Sequence, residues 1–163
     1  MRMLVSDILD LPTQEGDDLK APSDKETIRH CIGCFGCWVK TPGKCVIKDS
    51  YMDMGERLSK CSELIFVSAC TYGGFSPFVQ NVLDRSIPYI SPYFTIINNE
   101  MHHEARYDNK IKVSAYFYGV EDISDKEKEI ARGLVHARAL NLHMDVSEIC
   151  FLNTITEVKE ALA

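Results

Sequence analysis

The sequence predicts an α/β fold, a three-layer sandwich built on a parallel sheet. Three observations carry that prediction. Leu64–Cys70 and Ile111–Gly119 are short, continuous apolar runs rich in β-formers, which suits strands buried on both faces. Between them, Thr71-Tyr72-Gly73-Gly74-Phe75-Ser76-Pro77 reads as a glycine-bearing loop running into a helix, half of a βαβ unit. From residue 46 onward, helical and strand patterns alternate as α-β-α, an excursion, then β-α-β-α.

The elements follow in order. Met3-Leu4-Val5 begins a first strand, which Ile8-Leu9-Asp10-Leu11 would extend. Pro12, Gly16 and Pro22 then prevent a long helix, so residues 1–30 form an atypical N-terminal segment. Ser23-Asp24-Lys25-Glu26 fits a capping box, and Thr27–His30 suits a short strand leading into the cysteines. Residues 51–61 read as a helix with Met52, Met54, Leu58 and Cys61 on its apolar face. Ser76 is the expected N-cap of the next helix, with Pro77 at its first position and Phe78, Val79, Val82 and Leu83 facing inward. Residues 88–109 show no clean period and read as a binding or interface excursion. Its His102-His103 pair is expected to pack and hydrogen-bond rather than bind metal, since adjacent residues of a strand point apart. Ser124-Asp-Lys-Glu127 is a second capping box. It opens a long helix with Ile130, Leu134, Val135, Ala137, Ala139 and Leu142 on its apolar side. Ile149–Leu152 is the last strand, and Thr156 would cap a short terminal helix.

The chemistry is concentrated in Cys31-Ile-Gly-Cys34-Phe-Gly-Cys37-Trp-Val-Lys-Thr-Pro-Gly-Lys-Cys45, which holds four of the seven cysteines. Thiols that must converge on one point recur at i, i+3 and i+6 when Gly33 and Gly36 let the backbone curl. Pro42-Gly43 turns the chain so that Cys45 returns to the first three. Four chemistries suit this stretch. An iron–sulfur cluster matches the first three positions of C-x2-C-x2-C-x3-C-P, although here the last gap is seven and no proline follows. Structural zinc, a C-x-x-C redox dithiol and a cysteine-rich turn without metal are the others. His30, beside Cys31, reads as a solvent-exposed histidine before a supporting donor.

With 163 residues, 45% hydrophobic and 26% charged, the chain is expected to form one domain. Its net charge of −6, without clustered Lys or Arg, argues against a nucleic-acid interface. The start Met-Arg-Met-Leu-Val-Ser-Asp is too short an apolar run for a signal peptide, and no stretch approaches a membrane span. A cytoplasmic location is the expectation, where clustered cysteines serve metals or redox work before disulfides.

The run Cys31–Cys37-Trp38…Thr41-Pro-Gly-Lys-Cys45-Val-Ile-Lys-Asp49 resembles the cysteine segment of flavodoxin-like NAD(P)H-dependent FMN reductases, a group that includes the iron–sulfur flavoproteins. Phe66–Ser76 with Leu83-Asp84-Arg85 is similar to that family's second flavin loop and following helix, and Pro92–Tyr107 to the excursion of one branch. The resemblance covers roughly residues 30–155. It implies a flavodoxin-like fold with five parallel strands in the order 2-1-3-4-5, and FMN at the carboxyl edge. Thr71, Tyr72, Gly73 and Gly74 would border the isoalloxazine ring, joined by Tyr118 and Gly119, with Ser76 a helix cap first and a flavin contact second. It further implies a [4Fe-4S] cluster on Cys31, Cys34, Cys37 and Cys45, a nicotinamide nucleotide or another electron donor, and a homodimer or homotetramer. The sequence does not choose between NADH and NADPH.

Three departures stand out. Only 30 residues precede Cys31, without the family's phosphate loop or its first helix. Ala69 replaces a common proline and Ser50 a common aspartate. Either the phosphate loop is rebuilt between Ser6 and Gly16, or the first strand–helix unit is reduced or lost. Two functions follow: an FMN-dependent oxidoreductase or electron-transfer flavoprotein, or a degenerate relative without flavin acting as a structural or regulatory partner.

Overall fold

The structure, a computed structural model, describes residues 1–23 and 27–163. Strands β1 (Arg2–Ser6), β2 (Asp18–Lys20), β3 (Glu63–Ala69), β6 (Lys112–Tyr118) and β7 (Asp145–Phe151) form one sheet in the order β2-β1-β3-β6-β7. Every neighbouring pair is parallel. Helices α1 (Gly36–Val39), α2 (Met54–Ser59), α3 (Pro77–Asp84), α4 (Asp125–Asn141) and α5 (Ile155–Leu162) complete the sandwich. A 3₁₀ turn, Ile87–Tyr89, leads into an antiparallel hairpin of β4 (Ile90–Ile97) and β5 (Glu100–Ala105).

The two faces of the sheet are covered unequally. On one, Met3, Val5, Leu64, Phe66, Val113 and Phe117 meet Leu58 of α2, Val79 and Val82 of α3, and Val135 of α4. The other face carries a smaller cluster in which Leu4, Ile65, Val67 and Tyr116 pack under Val158 and Leu162 of α5. Ile8 and Leu11 complete it from a loop. Residues 7–17, which join β1 to β2, form no helix. The first strand is therefore kept and its helix lost, and two apolar side chains of the connection fill the space a helix would cover.

Several elements differ from the sequence reading. Ile8–Leu11 do not extend β1, because Ser6 Oγ accepts from Ile8 N at 2.8 Å and turns the chain inward. Thr27–His30 is not a strand. The capping box at Ser23 falls on residues 24–26, outside the described residues. The excursion is an ordered hairpin turned at Asn98 and Asn99, both at positive φ (52° and 65°), as a two-residue hairpin loop requires. On α4, Ala131, Val135 and Ala139 are buried while Ile130 and Ala137 face out, so the apolar stripe is narrower than expected. The last strand begins at Asp145, and Thr154, not Thr156, caps α5 by accepting from Glu157 N. The capping box of α4 is formed: Ser124 Oγ accepts from Glu127 N, and Glu127 accepts from Ser124 N. No helix among the described residues is long and apolar enough to cross a membrane.

Candidate functional site

The cysteine loop curls as its glycines require. Gly33 adopts φ 62°, and a Cβ at Gly36 would meet Val46 Cγ1 at 2.7 Å, so only glycine lets these strands of loop approach. Phe35, also left-handed at φ 56°, is a strained position of the kind found at functional sites. Thr41 Oγ1 donates to Lys44 O at 2.7 Å, and Gly43 N donates to Cys37 O at 3.1 Å. That turn returns Cys45, whose N–H is taken by Met52 O at 2.8 Å.

As a result Cys31, Cys34, Cys37 and Cys45 line a single cavity of about 360 Å³, closed by Trp38, Ile47, Asp84 and Ile87. All four are free thiols. Burial pushes the Cys37 thiol up, and the nearby charges of Cys45, Cys31 and Cys34 push it further, which makes Cys37 the electrostatic hub of the group. No three His, Cys, Asp or Glu side chains among the described residues are gathered tightly enough for one metal ion. Four thiolates on a tetrahedral zinc would sit about 3.8 Å from each other. The four thiols as they stand are not drawn into such a group.

Behind the loop lies the largest fully buried side chain, Arg85 at the end of α3. Its guanidinium grips Asp49 bidentately, Nη1 to Oδ2 at 2.6 Å and Nη2 to Oδ1 at 2.8 Å. It also donates to Arg29 O at 2.7 Å. Asp49 accepts in turn from the backbone N–H groups of Arg29 and Tyr51, each at 3.0 Å. One ion pair therefore ties both ends of the cysteine loop to α3. Burial opposes the charge on Arg85, but Asp49 and the Cys45 sulfur outweigh it and hold its pKa above the ordinary value. Burial likewise pushes Asp49 up, and Arg85 with the two backbone donors brings it below the usual carboxylate range. Arg85 Nε is buried without a partner. On the outer side, Trp38 Nε1 donates to Ile90 O at 3.1 Å, and the Trp38 ring lies between Phe35 and His103. His30 is exposed, and His102 contacts Asn141 Oδ1 through Nδ1 at 2.9 Å. Of the pair, His102 makes a side-chain hydrogen bond and His103 packs its ring on Trp38 and Phe94.

The second group of predicted residues lies at the carboxyl edge of the sheet. In a sheet of this order the ligand crevice opens where β1 and β3 diverge. Here Asp7 spans that point. Its Oδ2 accepts from Ala69 N and its Oδ1 from Tyr118 Oη, both at 3.0 Å. Burial and the Asp7 charge together raise the Tyr118 pKa well above its ordinary value. Several other donors of the rim are used in the same way. Thr71 and Gly74 exchange N–H···O bonds at 2.9 and 2.8 Å, Ser76 N donates to Ser68 Oγ at 2.7 Å, and Gly119 N donates to Asn153 O at 3.2 Å. Gly73 packs so closely on α4 that a Cβ there would lie 2.9 Å from Glu127 O. Ser76 occupies the N-cap position of α3 but makes no side-chain cap bond, and its Oγ is buried and unpartnered. Tyr72 is 91% exposed at φ 50°, so it is not a core tyrosine.

The two groups respond differently to the cofactors that the sequence suggested. The cysteine cavity fits a sulfur-ligated cluster: four thiols converge, and a fixed cation stands behind them. The rim retains an exposed aromatic suited to a flavin ring but does not fit FMN's phosphate. Several amides of the ring-bordering loops are bonded inside the protein, and the Asp7 carboxylate stands at the switch point, where it would repel a phosphate.

No family model matches the chain. Over 88 residues it is 33% identical to an iron–sulfur flavoprotein of Methanocaldococcus jannaschii, a match spanning 53% of this chain and 44% of that protein. In structure it resembles azoreductase AzrA, with a TM-score of 0.55, 10% identity and coverage of 98% of this chain and 91% of the other. It also resembles an FMN-dependent NADH-azoreductase from Bacillus anthracis solved in complex with FMN (TM-score 0.55, 8% identity, 98% and 93% coverage). The Trp repressor binding protein of Bacillus subtilis aligns with a TM-score of 0.52 at 13% identity, over 99% and 95% of the two chains. The chain thus carries the flavodoxin-like α/β fold. Its resemblance in sequence is to an iron–sulfur flavoprotein, of which the match spans less than half the length.

Neither the Arg85–Asp49 clamp nor the role of Asp7 was assigned from the sequence. The first had a signal, an arginine closing an otherwise apolar helix face at Val79, Val82 and Leu83. The second had none, because Asp7 is one of several acidic residues in an irregular segment.

Proposed function

We propose that this chain works in electron transfer as a flavoprotein-type oxidoreductase, with Cys31, Cys34, Cys37 and Cys45 holding a [4Fe-4S] cluster. The observation that carries the proposal is the convergence of four free thiols on one cavity of about 360 Å³ in front of the buried Arg85. When bound, such a cluster supplies one-electron storage. The chain's own part is to hold the thiolates in position. The Asp49–Arg85 pair fixes the loop's two ends, Trp38 covers its outer side, and the guanidinium offsets the negative charge that thiolate ligands bring. Thr71, Tyr72, Gly73, Gly74, Ser76, Tyr118 and Gly119 would border the ring of a flavin that exchanges electrons with this centre. FMN and a nicotinamide nucleotide are the chemistry named for the structurally similar azoreductase.

A second reading is favoured by Asp7. A carboxylate at the switch point leaves no provision for a phosphate, so the chain would serve beside a flavin-bearing partner without holding FMN itself.

The test is anaerobic reconstitution with ferrous iron and sulfide, then titration with FMN. Broad brown absorbance that disappears in Cys37→Ala supports the cluster; colour retained in that variant rejects this ligand set. Saturable FMN binding by the isolated chain favours the first reading, and none at excess FMN favours the second.

A further inference from the structure

A second cavity of about 240 Å³ adjoins the cysteine cavity and shares Asp84 and Ile87 with it. It lies where the carboxyl end of α4 meets the end of α3 and the hairpin, and its polar wall is Arg138, His103 and Asn141. Arg138 is the unusual member. Its side chain is only partly exposed, its Nε is buried without a partner, and among the described residues no hydrogen bond or ion pair reaches it. His103 Nδ1 is buried and unpartnered in the same wall, while its ring is fixed against Trp38 and Phe94. A cation in the last turn of a helix complements the helix dipole, and that alone would let it extend into water. It does not account for a partly buried arginine that, among the described residues, lines a cavity without any ion pair, next to a histidine whose ring also has no hydrogen bond. Burying such groups unpaired is costly, and a net charge of −6 offers many carboxylates that could have been placed opposite.

We propose that this cavity is a binding site for a small carboxylate with a short apolar body. Arg138 and the His103 ring receive the carboxylate, and Leu83 and Ile87 face the apolar part. The volume lies below the range of drug-sized pockets, which limits the ligand to a molecule of about the size of benzoate. Asp84 stands on the wall toward the cysteines with its carboxylate held by Gln80 Nε2 at 2.7 Å, so the ligand's charged end points away from it. The site does not depend on whether the cysteines hold a cluster.

Calorimetric titration of the full chain with sodium benzoate, and with benzyl alcohol as a neutral compound of similar size, tests this at constant ionic strength. Benzoate is expected to give a saturable one-to-one isotherm that benzyl alcohol does not. Arg138→Gln weakens benzoate by about tenfold or more, as loss of a charge-assisted hydrogen bond implies. Asp84→Asn binds benzoate at least as tightly as the parent. The proposal is overturned if the wild-type protein gives no saturable heat with benzoate, if both compounds bind alike, or if Arg138→Gln binds as the parent does. Should that variant not fold, the benzoate and benzyl alcohol pair on the wild-type chain decides the matter alone.

Discussion

The cysteine cavity and the carboxyl rim of the sheet are both regions that resemble flavoproteins in sequence, yet they are finished in opposite ways. Around the cavity, four cysteines without disulfides form the lining, two of them exposed, and the polar machinery lies behind them, pinning the loop. At the rim, the backbone donors of Ala69, Thr71, Gly74, Ser76 and Gly119 are all bonded to the protein's own atoms. A loop built to hold a ligand leaves its ligating groups unspent, whereas a loop built to close a fold spends them. The difference shows that resemblance transfers group by group: the four cysteines still line one cavity, while a carboxylate stands at the switch point.

The largest effect expected to break this contrast is at Asp49. Asp49→Asn leaves Arg85 buried and without its counter-ion, and breaking a buried pair costs on the order of 3–5 kcal/mol. Urea denaturation should show that loss, and the variant should fail to retain iron although all four cysteines are present. Full stability with full iron retention would mean that the clamp does not organise the loop. The same pair sets an acid limit. Because the folded Asp49 carboxyl lies below its ordinary range, its contribution is fully present above the unfolded value of about 3.9 and is lost as pH falls through the lower folded one. Melting temperature followed downward from pH 5 should therefore fall more steeply in the parent than in Asp49→Asn.

An intermediate effect is expected at Asp7. Asp7→Ala leaves Ala69 N and Tyr118 Oη without their acceptor, at a cost of roughly 1–3 kcal/mol. The Tyr118 phenol should also move down toward ordinary ionisation, read by ultraviolet titration. On the binding side, the parent should hold FMN no more tightly than riboflavin, since nothing at the switch point rewards a phosphate. A clear preference for FMN in the parent would show that a phosphate displaces Asp7, and the contrast between the two regions would fail.

What was legible in the sequence follows from which forces are local. The buried strands read correctly because Leu64–Ala69 and Val113–Phe117 are apolar on both faces, a pattern independent of distant contacts. The convergence of the cysteines was legible from spacing, Gly33, Gly36 and the Pro42-Gly43 turn. The hairpin was not legible although Asn98-Asn99 is a turn signal, because β5 is exposed except at the adjacent His102 and His103 and its burial pattern lacks alternation. The loss of the first helix was anticipated from the prolines and glycine of residues 12–22. What replaces it was not, since Ile8 and Leu11 become core residues only once α5 supplies Val158 and Leu162. The closing of the rim was illegible for the same reason, as Asp7 finds Tyr118 across 111 residues of chain.

The smallest expected effect sharpens what remains of the rim. Tyr72 is almost wholly exposed, and its ring makes no aromatic contact among the described residues. Removing a side chain that contacts so little should change stability by no more than about 0.5 kcal/mol, although relief of its positive φ requires glycine rather than alanine. Tyr72→Ala should therefore melt with the parent. If the rim meets a flavin ring, the same variant should weaken riboflavin binding by up to about tenfold, the range for one lost aromatic stack. Unchanged flavin affinity, with stability also unchanged, would leave Tyr72 without a role at the rim and would confine the flavoprotein resemblance to the cysteine side of the molecule.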